Sequence, residues 1–431
     1  MNNREILKWG VYMYRYQRAA AFLLAALLCT APLRAAAEQE LDALHFDEQM
    51  PEAVQVISIM PDSVPAKSAI LVSQQSGQVL YEKSPDEPLA PASVTKVMTI
   101  LLVVEALESG QFTLQDTVRV SEHACSMGGS QIWLEPGEEM SVEDLFKAVV
   151  IASANDASVA LAELVAGTED AFVSLMNERA KALGMENTLF MNCTGLDAEG
   201  HLTTARDIAV MSRELMGHPL VTDYSTIWMD NLRGGSSELV NTNRLVRFYA
   251  GATGLKTGTT NSAGSCLSAT ATRDNLGLIA VVMGASTSDE RFAAARGLLD
   301  YGFANYKILP APAIDQQLTP VRVLRGREQT VDLRYTNPGS FVVEKRSPST
   351  IVQEISLARD VQAPVLAGQT LGTVKVLIDG EQVAEYDLKA AVEVPKMNLL
   401  DALDRLGREV FRMQHDPAVQ HAVPDVSGML P

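Results

Sequence analysis

Ser93 and Lys96 stand three residues apart in Pro91-Ala92-Ser93-Val94-Thr95-Lys96, where an apolar run begins. On a helix, side chains at i and i+3 share a face. The Ser93 hydroxyl and the Lys96 amine therefore come within reach of each other, the minimum for a serine nucleophile activated by a lysine base. The pair alone proves little. A Ser-x-x-Lys spacing arises by chance on the order of once in a chain of ordinary composition, and a helix cap followed by a solvated lysine is spelled the same way. Two later stretches carry polar groups in similarly marked surroundings. Ser153-Ala154-Asn155-Asp156 lies at the joint of two apolar helical runs, where small polar side chains either cap a helix or hydrogen-bond something else. Gly254-Leu255-Lys256-Thr257-Gly258-Thr259-Thr260 leads into strand-like alternation, and a glycine at 258 lets a strand approach a ligand closely. His201 is the one histidine in a conspicuous place, and reads as a structural hydrogen-bonder.

These residues need elements to hold them. Ser68 to Ser73 and Gln78 to Glu82 read as two strands about the turn Gln74-Gln75-Ser76-Gly77. From Val94 the run VTKVMTILLVVEALESG is apolar nearly all round and stops at Gly110, so its helix is buried on most faces. Lys96 near its start is then a lysine whose pKa desolvation lowers. Helices are expected from Ser141 to Ile151, Ala157 to Val165 and Glu169 to Leu183, with another opening at Thr203-Thr204-Ala205-Arg206-Asp207. Cys266 to Thr272 and Leu276 to Gly284 read as an antiparallel pair, and Asp289 to Asn305 as a closing helix. The pattern is α+β, an antiparallel sheet with helices.

Pro310-Ala311-Pro312 marks a boundary. Beyond it come short β-patterned runs: Val321 to Leu324, Thr330 to Leu333, Ser340 to Glu344, Thr350 to Leu357, Thr373 to Leu377 and Ala384 to Leu388, with a hairpin turn at Asp379-Gly380. Pro395 to Gln414 reads as an amphipathic helix with Leu399, Leu400, Leu403, Leu406, Val410 and Phe411 on one side. It either lies on a membrane surface or packs on the β domain or a partner. The expected layout is a signal peptide at 1–37, a lead-in at 38–66, a main domain at 67–309, a small all-β domain at 313–395, the helix at 396–414 and a loose tail at 415–431.

The signal peptide rests on Arg4, Lys8, Arg15 and Arg18 ahead of the apolar Ala19 to Leu28, then Ala35-Ala36-Ala37 before Glu38. The whole chain has 431 residues, 47% hydrophobic and 20% charged, with formal net charge −18. Removing five basic residues and one acid with the leader leaves 30 basic against 52 acidic residues, near −22. That composition is globular, exported and acidic, and argues against nucleic-acid binding. Cysteines at 29, 125, 193 and 266 show no metal spacing. The three outside the leader read as small buried apolar residues rather than a disulfide framework.

Taken in order, Ser93-x-x-Lys96, Ser153-x-Asn155 and Lys256-Thr257-Gly258 form a set known from penicillin-binding proteins and class A β-lactamases. The sequence resembles the low-molecular-mass penicillin-binding proteins, the serine-type D-alanyl-D-alanine carboxypeptidases of peptidase family S11. PASVTKVMT, MGGSQIWLEPGE (127–138), GHLTTARDIA (200–209) and LDYGF (299–303) agree with it. The resemblance covers roughly residues 65 to 395 and implies a β-lactamase/transpeptidase-like main domain. It implies Ser93 as acyl-ester nucleophile, Lys96 as general base, Ser153 as proton relay and Asn155 as orienting group. The backbone amides of Ser93 and Thr259 would hold the oxyanion, and Lys256, Thr257, Gly258, Thr259 and Arg291 would bind substrate. The implied substrate is the peptidoglycan stem peptide ending in D-Ala-D-Ala, with β-lactams as inhibitors and no metal or cofactor. It also implies an extracytoplasmic enzyme, peripheral on the outer face of the membrane or in the wall. Ala154 stands where class A β-lactamases favour Asp, and no Glu-x-x-Leu-Asn follows before Lys256. Both departures weigh against an antibiotic hydrolase. A D,D-endopeptidase or a β-lactamase on the same scaffold, and a non-catalytic penicillin sensor, are the alternatives.

Overall fold

The structure, a computed structural model, describes residues 64–314, 317–336, 339–346 and 350–415, with side chains through Arg408. The signal peptide, the lead-in up to residue 63, the tail from 416 and the side chains of Glu409, Val410, Phe411 and Arg412 lie outside the described residues.

The main domain is built on a five-stranded antiparallel sheet. Its strands are β1 (Ser68–Ser73), β2 (Val79–Lys83), β3 (Ala252–Thr260), β4 (Gly264–Arg273) and β5 (Leu276–Ala285), in the order β2-β1-β5-β4-β3. Successive side chains on a strand point to opposite faces, and here both faces are covered. Ile70, Val72, Ile279, Val281 and Met283 join the core of the helical block. Ala69, Leu71, Leu278, Ala280 and Val282 pack instead with Phe292, Leu298 and Leu299 of the closing helix. The wholly apolar β5 and its register against β1, with Leu71 opposite Ala280, follow from that double burial.

The helical block contains α1 (Lys96–Glu108), α2 (Val142–Ile151), α3 (Asn155–Ala166), α4 (Glu169–Ala182) and α5 (Ala205–Leu215); α6 (Ser288–Asn305) closes the opposite face. Side chains of Ser141, Thr168, Thr204 and Thr287 cap α2, α4, α5 and α6, and Thr287 with Glu290 forms a full capping box. One expectation changes and one alternative closes. The α-helix expected from Val94 starts at Lys96, because Ala92–Thr95 is a 3₁₀ turn. Neither Ser153 nor Asn155 caps a helix: the N-cap of α3 is Ala154, with no side-chain cap, and Asn155 is already helical.

After α6 the strand Tyr306–Pro310 pairs with Ser340–Glu344. The run Thr330 to Leu333 is not one strand. Val331 pairs with Val321 in one sheet, while Leu333 pairs with Ala390 in another. Asp360–Gln362, unmarked by any alternation in the sequence, adds a parallel strand beside Val321–Leu324. Ile351–Leu357, Thr370–Ile378 and Glu381–Ala390 form an antiparallel meander, with Asp379 and Gly380 at positive φ in the hairpin turn. The small all-β domain closes over Val321, Val323, Val331, Val365, Leu371 and Val394. The final helix, α7 (Leu399–His415), turns Asp401 toward Arg327 of this domain, 3.6 Å apart. Leu399, Leu400, Leu403 and Leu406 are left 57–76% exposed.

Candidate active site

The 3₁₀ turn is what brings Ser93 over Lys96. With three residues per turn, side chains at i and i+3 eclipse, and Lys96 Nζ donates to Ser93 Oγ at 3.0 Å. Lys96 is the first residue of a helix buried along almost its whole length and is itself 0% exposed. Its other two partners are Asn155 Oδ1 at 2.5 Å and the Thr194 carbonyl at 2.7 Å. All three partners are neutral. Burial pulls the lysine down to about 7, with Cys193 and Asp156 opposing the fall.

This geometry decides where a neutral Lys96 amine points its lone pair. A carbonyl oxygen and an amide oxygen only accept, so two N–H groups stay with Asn155 and Thr194. Ser93 Oγ is the only partner of the three with a proton to give, so the lone pair faces it. Asn155 cannot flip out of this arrangement without loss, because its Nδ2 donates to the Gly128 carbonyl at 2.6 Å.

The turn carrying Ser93 is braced from behind. Met191 N–H donates to His201 Nδ1 at 3.1 Å, which leaves the proton on Nε2. Nε2 then donates to Thr95 Oγ1 at 2.8 Å, and Thr95 Oγ1 donates to the Ala92 carbonyl at 2.8 Å. Burial holds His201 down at about 4 and so keeps it neutral. Ala92 sits at φ +49°. Gly195 presses on it so closely that a Cβ there would lie 1.9 Å from the Ala92 carbonyl oxygen. A Cβ on Gly258 would lie 2.7 Å from Ser93 N. The edge strand β3 thus runs directly beside the serine.

Lys256 is 1% exposed, and its Nζ donates to the Thr257 carbonyl at 3.2 Å. Burial first, then the positive charges of Lys96 and Arg291, push its pKa well below the usual lysine value. Thr257 Oγ1 donates to Thr242 Oγ1 at 2.8 Å. Arg291, in the first turn of α6, reaches β3 from beneath; its Nη1 donates to the Gly258 carbonyl and to Thr259 Oγ1, both at 2.8 Å. Asp197 ties the 195–199 loop to the end of β3 through Thr260 Oγ1 and Ser262 Oγ. Ser153 is buried at φ +63°.

The sequence motifs therefore converge, with Ser93, Lys96 and Asn155 in direct contact and Lys256 to Thr259 on the neighbouring strand. The structural hydrogen-bonding role expected for His201 is what the structure shows; sequence reasoning missed its partner Thr95, the Thr194 carbonyl and Asp156. Asp156 is 1% exposed and accepts from the amides of Ile132, Leu134 and Ala157. A main-chain acceptor leaves no residue signature; Gly195 beside Thr194, where a Cβ would lie 1.9 Å from the Ala92 carbonyl oxygen, is the residue that could have pointed to it.

Comparison with known proteins agrees over most of the chain. The family described as D-alanyl-D-alanine carboxypeptidase (peptidase S11) matches residues 55–287, and the penicillin-binding protein 5 C-terminal domain matches residues 311–396. D-alanyl-D-alanine carboxypeptidase DacF of Bacillus subtilis (strain 168) is 44% identical over 344 residues, 79% of this chain and 88% of its own length. The crystal structure of penicillin-binding protein 5 from Haemophilus influenzae superposes with a TM-score of 0.70 at 30% identity, covering 78% of this chain and all of that one. Penicillin-binding protein D2 from Listeria monocytogenes, in its ampicillin-bound form, superposes with a TM-score of 0.51 at 31% identity, over 56% of this chain and 98% of that one.

Proposed function

The chain belongs to the D-alanyl-D-alanine carboxypeptidase (peptidase S11) family, and we propose that it removes the terminal D-Ala from peptidoglycan stem peptides through an acyl-Ser93 intermediate. The observation that carries this reading is the contact of a fully buried Lys96 with both Ser93 Oγ and Asn155 Oδ1.

In this reading the neutral Lys96 amine takes the Ser93 proton as Oγ attacks the carbonyl of the penultimate D-Ala. The amides of Ser93 and Thr259 receive the developing oxyanion. The Lys96 ammonium passes that proton through the Ser153 hydroxyl, which gives its own to the departing D-Ala amine; water then attacks the acyl-Ser93 ester, losing its proton to the neutral Lys96, which returns it to Ser93 Oγ as the ester breaks. Lys256, Thr257 and Thr259 take the free C-terminal carboxylate, with Arg291 adding positive charge behind the strand. An arriving carboxylate favours the protonated form of Lys256. That charge in turn disfavours a proton on Lys96, so substrate itself readies the base. Penicillin acylates the same serine, but its leaving nitrogen stays tethered in the opened ring.

The substrate polymer lies outside the cytoplasm, and so does this activity. Among the described residues no helix is long and apolar enough to cross a membrane. The finer placement is on the membrane surface through α7, supported by its four exposed leucines and by Asp401 facing the β domain.

The test is labelling with fluorescent penicillin alongside D-Ala release from a pentapeptide, for the parent and Ser93→Ala. Loss of both in the variant is expected; label persisting on it would show that the nucleophile lies elsewhere. Assays on a cross-linked dimer and a chromogenic cephalosporin separate the alternatives. Fast cephalosporin turnover without D-Ala release would overturn the carboxypeptidase reading.

A further inference from the structure

Trp133 is 78% exposed, although tryptophan is among the side chains with most to gain from burial. Its neighbours Ile132 and Leu134 are both turned in, each 6% exposed. The backbone of Trp133 stands at φ +58°, a conformation that bulky residues rarely adopt. Such strain persists only where the surroundings impose it, and the surroundings here are explicit. The amides on either side, Ile132 N and Leu134 N, both donate to the buried Asp156 carboxylate at 3.1 Å. The carbonyls of Ile132 and Trp133 accept from the Arg233 guanidinium at 2.9 and 3.4 Å. Arg233 is itself fixed by Glu138, at 2.7 Å from its Nε. Each flank of the tryptophan is pinned inward, which leaves the indole facing out.

The same segment is coupled to the candidate catalytic centre at three points. Asn155 Nδ2 donates to the Gly128 carbonyl, Asn155 N donates to the Ser130 carbonyl at 2.7 Å, and Asp156 follows Asn155 directly in the chain. Trp133 is thus rigidly indexed to Asn155, and through it to Lys96 and Ser93. An apolar face held out in a strained conformation, at a fixed offset from the reacting atoms, suits a part of the substrate that lies beyond the bond being cut.

We propose that Trp133 is a specificity-determining residue, a platform that packs against the aliphatic C–H surface of the substrate upstream of its D-Ala-D-Ala end. That surface has two sources, the long side chain of the stem peptide or the sugar that carries it. The proposal rests on the carboxypeptidase reading above. It adds no step to the chemistry. It predicts that binding energy gathered away from the scissile bond depends on this indole.

The experiment compares parent, Trp133→Ala and Trp133→Phe on three substrates: a short N-acyl-D-Ala-D-Ala, a free pentapeptide and a disaccharide pentapeptide. For Trp133→Ala, kcat/KM should fall about ten-fold on a long substrate, mainly through KM. It should be unchanged on the short one, and the rate of penicillin acylation should be unchanged too. Trp133→Phe should recover most of the loss. A loss already present with the free pentapeptide assigns the peptide side chain; a loss seen only with the disaccharide assigns the sugar. Equal losses on all three substrates would reduce Trp133 to a structural role and overturn the proposal, as would no loss on any. Absence of D-Ala release by the parent enzyme would instead count against the carboxypeptidase reading.

Discussion

Asn155 Oδ1 lies 2.5 Å from Lys96 Nζ, and this contact fixes which way the lysine can offer its lone pair. A neutral acceptor at that point directs the amine without holding its proton. Asn155→Asp would place a negative charge there instead, stabilising the ammonium form. The acid limb of the profile, set by Lys96 at about 7 in the parent, should then move up by roughly 1–3 pH units. The rate of penicillin acylation against pH reads this directly; an unmoved limb would contradict the base assignment.

Lys256 bears on the same limb from the opposite sign. The charge of Lys96 lowers Lys256, and a Lys256 charged by an arriving carboxylate disfavours a proton on Lys96 in turn. Lys256→Gln removes the repulsion, and Lys96 should hold its proton to higher pH. Acylation at neutral pH should slow and recover as pH rises. Substrates with a free C-terminal carboxylate should also lose affinity.

At Gly258 the constraint is steric. A Cβ 2.7 Å from Ser93 N and 2.9 Å from the Pro91 carbonyl must move the strand or the turn. Displacements of about 1 Å at a reacting centre cost on the order of 100-fold in rate. Gly258→Ala should therefore slow acylation by about that factor while far-UV circular dichroism stays as in the parent. A fast-acylating variant would mean that strand and serine are less closely coupled than the geometry says.

His201 links the brace to acid stability. Its folded pKa, about 4, lies below the unfolded value of 6.5 because burial disfavours the charged ring. Above pH 6.5 both states are neutral and its stabilisation is intact. As pH falls from 6.5 to about 4 only the unfolded chain takes up the proton, so stability falls by roughly 3 kcal/mol from this residue. Denaturant titrations of His201→Gln over that range should show a shallower loss. An identical slope in both proteins would remove His201 from the account.

The exposed leucines of α7 predict binding to lipid. Leu403→Glu with Leu406→Glu should reduce co-sedimentation with anionic vesicles while leaving D-Ala release from a soluble pentapeptide unchanged. Equal partitioning of parent and variant would argue that α7 serves another contact.

Much of this was legible in the sequence, for identifiable reasons. Lys96 and Ser93 are tied by local spacing, and β5 announces itself as a short, almost unbroken apolar run, as a strand buried on both faces does. Lys256 to Thr259 announce themselves by glycine on a strand. What stayed hidden is nonlocal or carried by the main chain. The Thr194 carbonyl looks like any other carbonyl in the sequence, and Asp156 reads as an ordinary acid at the joint of two helical runs. Its partners, Ile132 and Leu134, lie more than 20 residues away. The split of Thr330 to Leu333 between two sheets was equally invisible, since both halves keep the same alternation.

The edge position of β3 also bears on how these molecules behave in a crowd. A bare strand edge ordinarily invites pairing with another chain, and proteins guard such edges. The 3₁₀ turn of the nucleophile sits over one face of this strand at Gly258, with no room for a side chain between them. The close approach that sets the serine against its strand therefore holds β3 from one face, and the outer edge remains a place where an extended chain can pair.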